Sequence, residues 1–462
     1  MMTIERVADS DTWWHLETGQ HIIESGSVPR TDIFSHFGIE NNLEWIAHGW
    51  ASAVVLYAAY MAGGYLGVAW VPILAILLTL IILSNTLKDA FSTNRLVAAA
   101  WMLCLSITMG FVSVARPQIF SYILFALTVH IIASFMKGGG KSIWALPVVS
   151  ALWVNFHGGS SSLLFTLLGF AVVFNLLPFS FGRIYSKPLE KAKIKTLLSV
   201  LGVSILAALL NPHTYKMLLY PAVNMADSRL LSVILEWQSP NFHSPEGILT
   251  FAILSAPLLL LLFSEKKISL YDLMLLGAFG FLTLRSLRQI PYFVMAVTPV
   301  VQNHLFKLDL KEYPFRWKLN LTASIILILF FLANTVRVLT PLPFDYTDYP
   351  YEALETIKEH RPERMLNSYN WGGFLIWKLN HEGIFPFIDG RADIFSRFTF
   401  DDYMKLHNAS PGWEEIFDKY NFDAVLFETD SHLVRFLLLS GEWRAAFADD
   451  KSTFLIRHKP LP

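Results

Sequence analysis

Cysteine is almost missing from this chain: Cys104 is the only one among 462 residues, and it lies inside an apolar run. That excludes an internal disulfide and a thiolate metal site, and it says nothing about compartment. Charge is scarce too, at 16% of residues against about 25% in a typical soluble domain. Lysine plus arginine number 36 and the acids 37, a net charge of −1. The basic surface that nucleic acid binding needs is therefore lacking. The opening residues MMTIE have no apolar core, so no cleavable signal peptide starts the chain.

What is present is apolar. Hydrophobic residues make up 54%, tryptophans number 14, and the mean hydropathy is +0.44. A bilayer-spanning helix needs about 20 mostly apolar residues. Runs of that kind fall near 66–87, 96–114, 119–136, 143–157, 160–182, 196–211, 248–263, 269–285, 290–305 and 319–339. One such run fits a buried core; ten in series do not, because a soluble domain cannot cover so much apolar helix. The sequence predicts a polytopic α-helical membrane protein of about ten transmembrane helices, with added juxtamembrane helices.

The gaps between runs alternate in character. One set, 88–95, 137–141, 183–195, 265–267 and 307–318, is basic and chemically bland. The other, comprising the first 48 residues, 116–118, 155–159, 211–246 and 285–288, holds carboxylates, histidines, tryptophans and isolated arginines. Lysine and arginine collect in cytoplasmic loops. The lysine-rich gaps are therefore expected inside, and the chemically equipped gaps and the tail outside, in a cytoplasmic membrane. An outer N-terminus without a preceding span leads to the expectation that a first span is missing from this chain. Residues 47–64 are expected to lie along the interface, since counting them as a span would put the lysines outside. Residues 12–24 read as a second such helix, with Trp13, Leu16 and Ile23 on one face and Glu17, Gln20 and Glu24 on another.

Beyond about residue 345 charged residues return and apolar runs shrink to strand length. Strands are predicted at 364–369, 384–388, 424–428 and 453–457, with helices at 371–379, 413–420 and 433–440 between them. Alternation of this kind suggests an extracytoplasmic α/β domain with a largely parallel sheet. The division is thus 1–65 as an outer acidic segment, 66–340 as the membrane domain and 345–462 as the α/β domain.

Several residues could carry chemistry. Asp9 and Asp11 precede the first helix in the run DSDTWWHLETG. Two carboxylates at i and i+2 can share a divalent cation, or one can act as base while the other orients. The plainer reading is a helix cap, with Asp11 or Thr12 accepting backbone N–H groups. His15, Arg30 and His48 belong to the same outer segment. Arg30 and Asp32 could simply pair with each other, whereas histidine and tryptophan beside a sugar would supply hydrogen bonds and a stacking face. Asn155 and His157 stand at an outer span end in WVNFHGG, where an interface anchor is the alternative. Arg116, Arg285 and Arg288 mark outer span ends. They either snorkel to headgroups or hold a phosphate bidentately. Glu236 lies in the longest outer loop. Asp389 follows a predicted strand, at the ligand edge of an α/β sheet or in a plain Asp–Arg turn.

Together these elements resemble the GT-C superfamily of membrane glycosyltransferases, in uncharacterised bacterial branches. The residues that carry the resemblance are DSDTWWHLETG, VPRTDIFS, WIAHGW, WVNFHGG, EWQSPNFH, RSLRQIPYF, NWGGFLIW and FIDGRADIF. The resemblance implies a polyprenyl-phosphate sugar donor, whose sugar passes with inversion to an acceptor it does not identify. The implied catalytic carboxylate is Asp9 or Asp11, with Asp9 the first choice, and arginines stabilise the leaving phosphate. A divalent metal is left open, since members of the superfamily differ on it. The resemblance requires the acidic segment, the arginine-tipped helix ends and the tail to serve one extracytoplasmic site. A flippase or transporter of lipid-linked saccharide is the rival class, but it would put ionisable groups mid-span, and the span centres hold almost none. An O-antigen-ligase-like enzyme would rely on arginines and a histidine in a large outer loop. A catalytically silent scaffold is the remaining alternative.

Overall fold

The computed structural model describes residues 9–93, 95–110, 114–227, 237–304, 346–396 and 398–458. In chain order the elements begin with α1 (Ser10–Ser25), α2 (His36–Glu40) and α3 (Trp50–Thr86). Then come α4 (Lys88–Thr93), α5 (Arg95–Gly110), α6 (Gln118–Gly138), α7 (Leu146–His157) and α8 (Ser162–Val173). A hairpin of β1 (Phe179–Phe181) and β2 (Ile184–Ser186) leads to α9 (Lys191–Ala207), α10 (Tyr215–Ala226) and α11 (Pro245–Phe263). The short strand β3 (Ile268–Ser269) precedes α12 (Leu270–Arg285) and α13 (Ile290–His304). The tail holds α14 (Leu354–His360), β4 (Met365–Asn367), α15 (Gly372–Leu379), α16 (Phe400–His407), α17 (Trp413–Tyr420), β5 (Ala424–Glu428), α18 (His432–Leu439), β6 (Trp443–Ala448) and β7 (Ser452–Arg457). The described residues form two compact units, one of residues 68–304, the other joining 9–67 to 346–458.

The first unit is helical around one apolar core, in which Phe125, Trp153, Phe279 and Phe293 are buried. Polar pairs tie its helices together: Trp101 Nε1 donates to Thr298 Oγ1 at 3.0 Å, and Ser150 Oγ to the Ser204 carbonyl at 2.8 Å. Its outer surface is apolar too, with Val148, Leu206, Phe251 and Leu262 exposed, as lipid-facing side chains would be. Among the described residues three helices, α3, α6 and α11, are long and apolar enough to cross a membrane. The segment through α7 and the following α8 would add a fourth as one broken span, bent by 109°. Helices occupy nine of the ten expected runs, but α7 and α8 have 12 residues each. At 1.5 Å rise per residue such a helix covers roughly 18 Å, short of a bilayer core of about 30 Å. The run expected at 160–182 therefore ends early, and its last residues enter the β1–β2 hairpin, turned at Gly182 with φ +56°. The run at 319–339 lies outside the described residues.

The gaps sort into two groups by contact. Ile184 pairs with Ile268 in the small β1–β2–β3 sheet, Lys137 Nζ lies 3.2 Å from Asp89, and Lys266 Nζ donates to the Asn303 carbonyl at 2.6 Å. The lysine-rich gaps thus meet one another. In the other group, Asn155 Nδ2 donates to the Leu210 carbonyl at 2.8 Å and Leu287 N to the Gln238 carbonyl at 3.1 Å. Ser121, three residues past Gln118, bonds His157.

In the second unit, residues 9–67 make no core of their own. Trp14, Phe34 and Trp45 share a cluster with Ile376, Phe387 and Phe395 of the tail. α1 starts at a capping box: Asp9 Oδ1 accepts from Thr12 N at 3.1 Å while Thr12 Oγ1 accepts from Asp9 N at 3.2 Å. It stops at Gly26, whose φ of +68° suits a helix end. The helix does not show the expected pattern of one apolar buried face and one polar exposed face. Trp13, His15, Leu16 and Glu17 are all buried, whereas Ile23 is 42% exposed. Burial on both predicted faces arises because α1 packs against α15 and its Gly19 abuts Ala53 and Tyr57 of α3. At Gly19 a Cβ would stand 2.2 Å from the Ala53 carbonyl oxygen, so only glycine permits that crossing. α3 is two helical stretches joined by a kink, with non-helical backbone at Gly63 (φ −151°) and Gly64 (φ +58°), where the sequence placed the end of the 47–64 segment.

The tail sheet has the order β4-β5-β7-β6. Only β4/β5 is parallel, and β7 pairs antiparallel with both β5 and β6, which corrects the largely parallel expectation. The unforeseen β6 is mostly exposed and lacks strand-like alternation. Residues 384–388 make a single bridge rather than a strand, Met365 with Pro386. Proline has no N–H for a ladder. The Asn367 side chain stands in, accepting from Phe387 N at 2.8 Å and donating to the Ile388 carbonyl at 2.8 Å.

Candidate functional site

In the second unit the N-terminus of α1 presses on two backbone turns of the tail. A Cβ at Gly373, in NWGGFLIW, would lie 2.2 Å from the Ser10 carbonyl oxygen. One at Gly390, in FIDGRADIF, would lie 1.9 Å from Asp11 Oδ1. The Asp11 carboxylate thus sits directly over Gly390, and Trp14 Nε1 donates to its Oδ1 at 3.1 Å. Asp9 is used differently. Its Oδ1 accepts from Asp11 N, Thr12 N and Thr12 Oγ1 at 3.0–3.2 Å. The cap reading therefore holds for Thr12, whose Oγ1 accepts from Asp9 N, and for Asp9, but not for Asp11, and a metal bridging both carboxylates would compete with that cap. Among the described residues no three His, Cys, Asp or Glu side chains gather as a metal site.

Aromatic rings surround this carboxylate. Trp13 packs edge-on to Tyr349 and Phe374, each at 5.5 Å. Burial pushes the Tyr349 and Tyr369 hydroxyls above their usual range, and the Asp11 charge adds to both shifts. His15 is buried, its ring tilted by 35° against that of Trp14 with centroids 3.6 Å apart. His48 is half-buried and Arg30 is exposed.

Arg30 does not pair with Asp32. The Asp32 partner is Arg391, whose Nη1 lies 2.7 Å from Asp32 Oδ1. The same guanidinium grips Asp389 through Nε–Oδ1 at 2.8 Å and Nη2–Oδ2 at 2.6 Å. All three side chains are out of solvent. Burial alone would lower the arginine, but Asp32 and Asp389 push it up, so it stays charged. The Trp45 ring packs 4.7 Å from the guanidinium carbon. Asp389 is therefore held in the Asp–Arg turn and acts as an internal tie rather than a ligand. Glu17, which sequence reasoning passed over, is 1% exposed; its Oε1 accepts from Asn380 Nδ2 at 2.6 Å. Burial pushes its carboxyl up to about 7.

In the first unit residues of the chemically equipped gaps build a second polar cluster. His157 Nδ1 lies 2.7 Å from Ser121 Oγ and 2.9 Å from Ser160 Oγ, and the two hydroxyls are 2.7 Å apart. Trp153 Nε1 donates to Ser121 at 2.9 Å, and the Tyr292 hydroxyl joins through Ser160 and Ser121. Arg288 is half-buried in the turn one helical turn before Tyr292, and Arg116 is half-buried just before α6. Arg285 is exposed at the end of α12. Asn155 donates to the carbonyls of Ala151 and Leu210, a structural tie. Glu236 lies outside the described residues. Ser121, Ser160 and Tyr292 escaped sequence reasoning because serine and tyrosine in apolar helices carry no spacing signal; the FHGGSSS run was the only hint.

No family model and no curated protein matches this sequence. Solved structures do share its fold. An oligosaccharyltransferase of Archaeoglobus fulgidus, tethered to an acceptor peptide, matches with a TM-score of 0.59 at 12% identity, over 92% of this chain. This chain spans only 65% of that protein. The archaeal oligosaccharyltransferase AglB, in complex with an inhibitory peptide and a dolichol-phosphate, matches at 0.56 and 12%. ArnT from Cupriavidus metallidurans, bound to undecaprenyl phosphate, matches at 0.53 and 12%, over 98% of this chain and 94% of its own. These neighbours are GT-C superfamily membrane glycosyltransferases, and the fold of this chain is theirs. That fold and the apolar helices make it a membrane protein.

Proposed function

We propose that this chain is a glycosyltransferase that moves a sugar from a polyprenyl-phosphate-linked donor to an acceptor hydroxyl at the outer face of the cytoplasmic membrane. The observation that carries the reading is the fold likeness, over 98% of the chain, to a protein bound to undecaprenyl phosphate. Asp11 takes the proton of the acceptor hydroxyl as its oxygen attacks the anomeric carbon. The bond from that carbon to the lipid phosphate breaks, and its electron pair leaves with the phosphate. A single displacement inverts the anomeric centre. Asp11 is preferred to Asp9 because Asp9 Oδ1 already takes three hydrogen bonds at the head of α1. Asp9 then holds the turn that presents Asp11. Arg116, Arg285 and Arg288 are assigned to the leaving phosphate, whose charge guanidinium groups stabilise without a general acid. His15, Arg30 and His48 are assigned to sugar or acceptor hydroxyls, and His157 to the donor side of the membrane unit.

The test uses the full chain in liposomes with polyprenyl-phosphate sugars, following free polyprenyl phosphate and glycosylated product. Asp11→Asn is expected to lower transfer by about 10²–10⁴-fold, the usual worth of a positioned base. Wild-type transfer by that variant overturns the assigned role. Movement of intact donor across the bilayer without cleavage of the sugar–phosphate bond overturns the enzyme reading in favour of transport.

A further inference from the structure

The lysine-rich end of the membrane unit contains a cavity of about 630 Å³ that the transfer reaction does not use. Its walls are apolar, including Val129, Met136, Leu275 and Pro299, and its rim carries Lys137, Lys187, Lys266 and Lys267. The buried pair of Asp272 and His304, 3.5 Å apart, closes its polar side. Lys137 is tied to Asp89, and Lys266 to the Asn303 carbonyl. Lys187 and Lys267 have no ion-pair partner among the described residues, and both are exposed. A cavity with hydrocarbon walls and an ammonium rim fits a molecule with an apolar chain and an anionic head.

The neighbouring hairpin says where such a molecule comes from. Leu177, just before β1, is 75% exposed, Phe179 and Phe181 in β1 are 46% and 74% exposed, and Tyr185 in β2 lines the cavity. Four large apolar side chains on a hairpin that ends at Lys187 suit insertion among acyl chains, with the lysines at headgroup level. A second hollow of about 510 Å³ lies beside the same segment and is lined by Leu176, Lys191, Lys195 and Leu198. Basic pockets between membrane helices favour anionic headgroups. We infer that the cavity rimmed by Lys187 and Lys267 binds the phosphodiester headgroup of an anionic membrane phospholipid, at the end opposite the His157 cluster. Only the choice of leaflet, the cytoplasmic one, rests on the orientation proposed above.

The experiment titrates the delipidated full chain in neutral detergent with phosphatidylglycerol, phosphatidylcholine, polyprenyl phosphate and inorganic phosphate, counting bound lipid by native mass spectrometry. Saturable phosphatidylglycerol binding is expected, exceeding that of phosphatidylcholine. Each lysine neutralised should weaken it about fivefold, so Lys187→Gln with Lys267→Gln weakens it about 25-fold. Lys88→Gln with Lys141→Gln removes the same charge from the same end outside the cavity and should change it less than twofold. Equal weakening by both pairs, or equal binding of phosphatidylcholine, overturns the site. Tighter binding of polyprenyl phosphate that Lys187→Gln with Lys267→Gln weakens about 25-fold assigns the cavity to the carrier, and full displacement by inorganic phosphate assigns it to a free anion; either result overturns the phospholipid. Labelling of Lys141→Cys by an impermeant maleimide in intact cells, in a Cys104→Ser background, tests the leaflet separately. Reaction there refutes the orientation and leaves the binding result standing.

Discussion

Replacing Arg391 by methionine should strongly destabilise the second unit at neutral pH. Arg391 contributes three short charge-assisted hydrogen bonds, to Asp32 and Asp389, and all three side chains are fully buried. Methionine fills most of the volume but strands two carboxylates in an apolar site under Trp45 and Phe34. Breaking a buried ion pair by removing one partner costs about 3–5 kcal/mol. A typical domain has only about 5–15 kcal/mol of stability, so the loss takes a large share. The pH dependence gives an independent check. In the variant the stranded carboxyls have a folded pKa above the unfolded value of about 3.9. The protonated form is then the one the fold prefers. The variant should therefore approach wild type as pH falls toward 4 and drop away as pH rises through the raised value. Pulse proteolysis of the detergent-solubilised full chain across urea, read on the tail fragment at pH 7.5 and 4.5, measures both effects. A loss under about 1 kcal/mol at pH 7.5, or a gap that does not narrow at pH 4.5, would refute the account of the triad as the tie between residues 359 apart in the chain.

Three further outcomes are expected. Glu17, raised from 4.5 to about 7 by burial, contributes stability that is complete below the unfolded value and lost as pH rises through 7, on the order of 3 kcal/mol. Glu17→Gln should therefore melt above wild type at pH 8 and near it at pH 5; parallel profiles for the two proteins would contradict the burial argument. Asp9→Ala should lower stability by about 1 kcal/mol through loss of the cap, and Asp9→Ser should restore it, with sugar transfer following stability rather than falling as in Asp11→Asn. Gly390→Ala puts a methyl 1.9 Å from Asp11 Oδ1 and must move that carboxylate. Thermal unfolding should register about 1–3 kcal/mol, and transfer should fall at least tenfold; unchanged transfer in a folded variant would remove Asp11 from the reaction.

Local pattern carried much of this fold. Hydropathy placed helices in nine of the ten apolar runs, with the tenth outside the described residues. Strand-length apolar runs marked β4, β5 and β7, and the helices near 371–379 and 413–420 stood where composition put them. The alternation of bland and equipped gaps also followed from composition, and like gaps do meet like. These features depend on residues within a turn or two of each other, and a single chain displays them directly.

Partnership was decided elsewhere. Asp32 lies two residues from Arg30 yet pairs with Arg391, because the tail brings a bidentate guanidinium into the same dry site. Asp9 and Asp11 look equivalent in the sequence. One became a cap because it stands where α1 begins, and the other became the candidate base because Gly390 leaves room above its backbone. Glu17 sits on a face that looked polar, and the packing of α1 against α15 and the following Asn380 buries it. The antiparallel place of β7 between β5 and β6 likewise depends on strand pairing across the tail. Periodicity and composition are sums over neighbours along the chain and were legible from the start. Desolvation and charge pairing are set by groups hundreds of residues away, and only the tertiary structure brings those groups together.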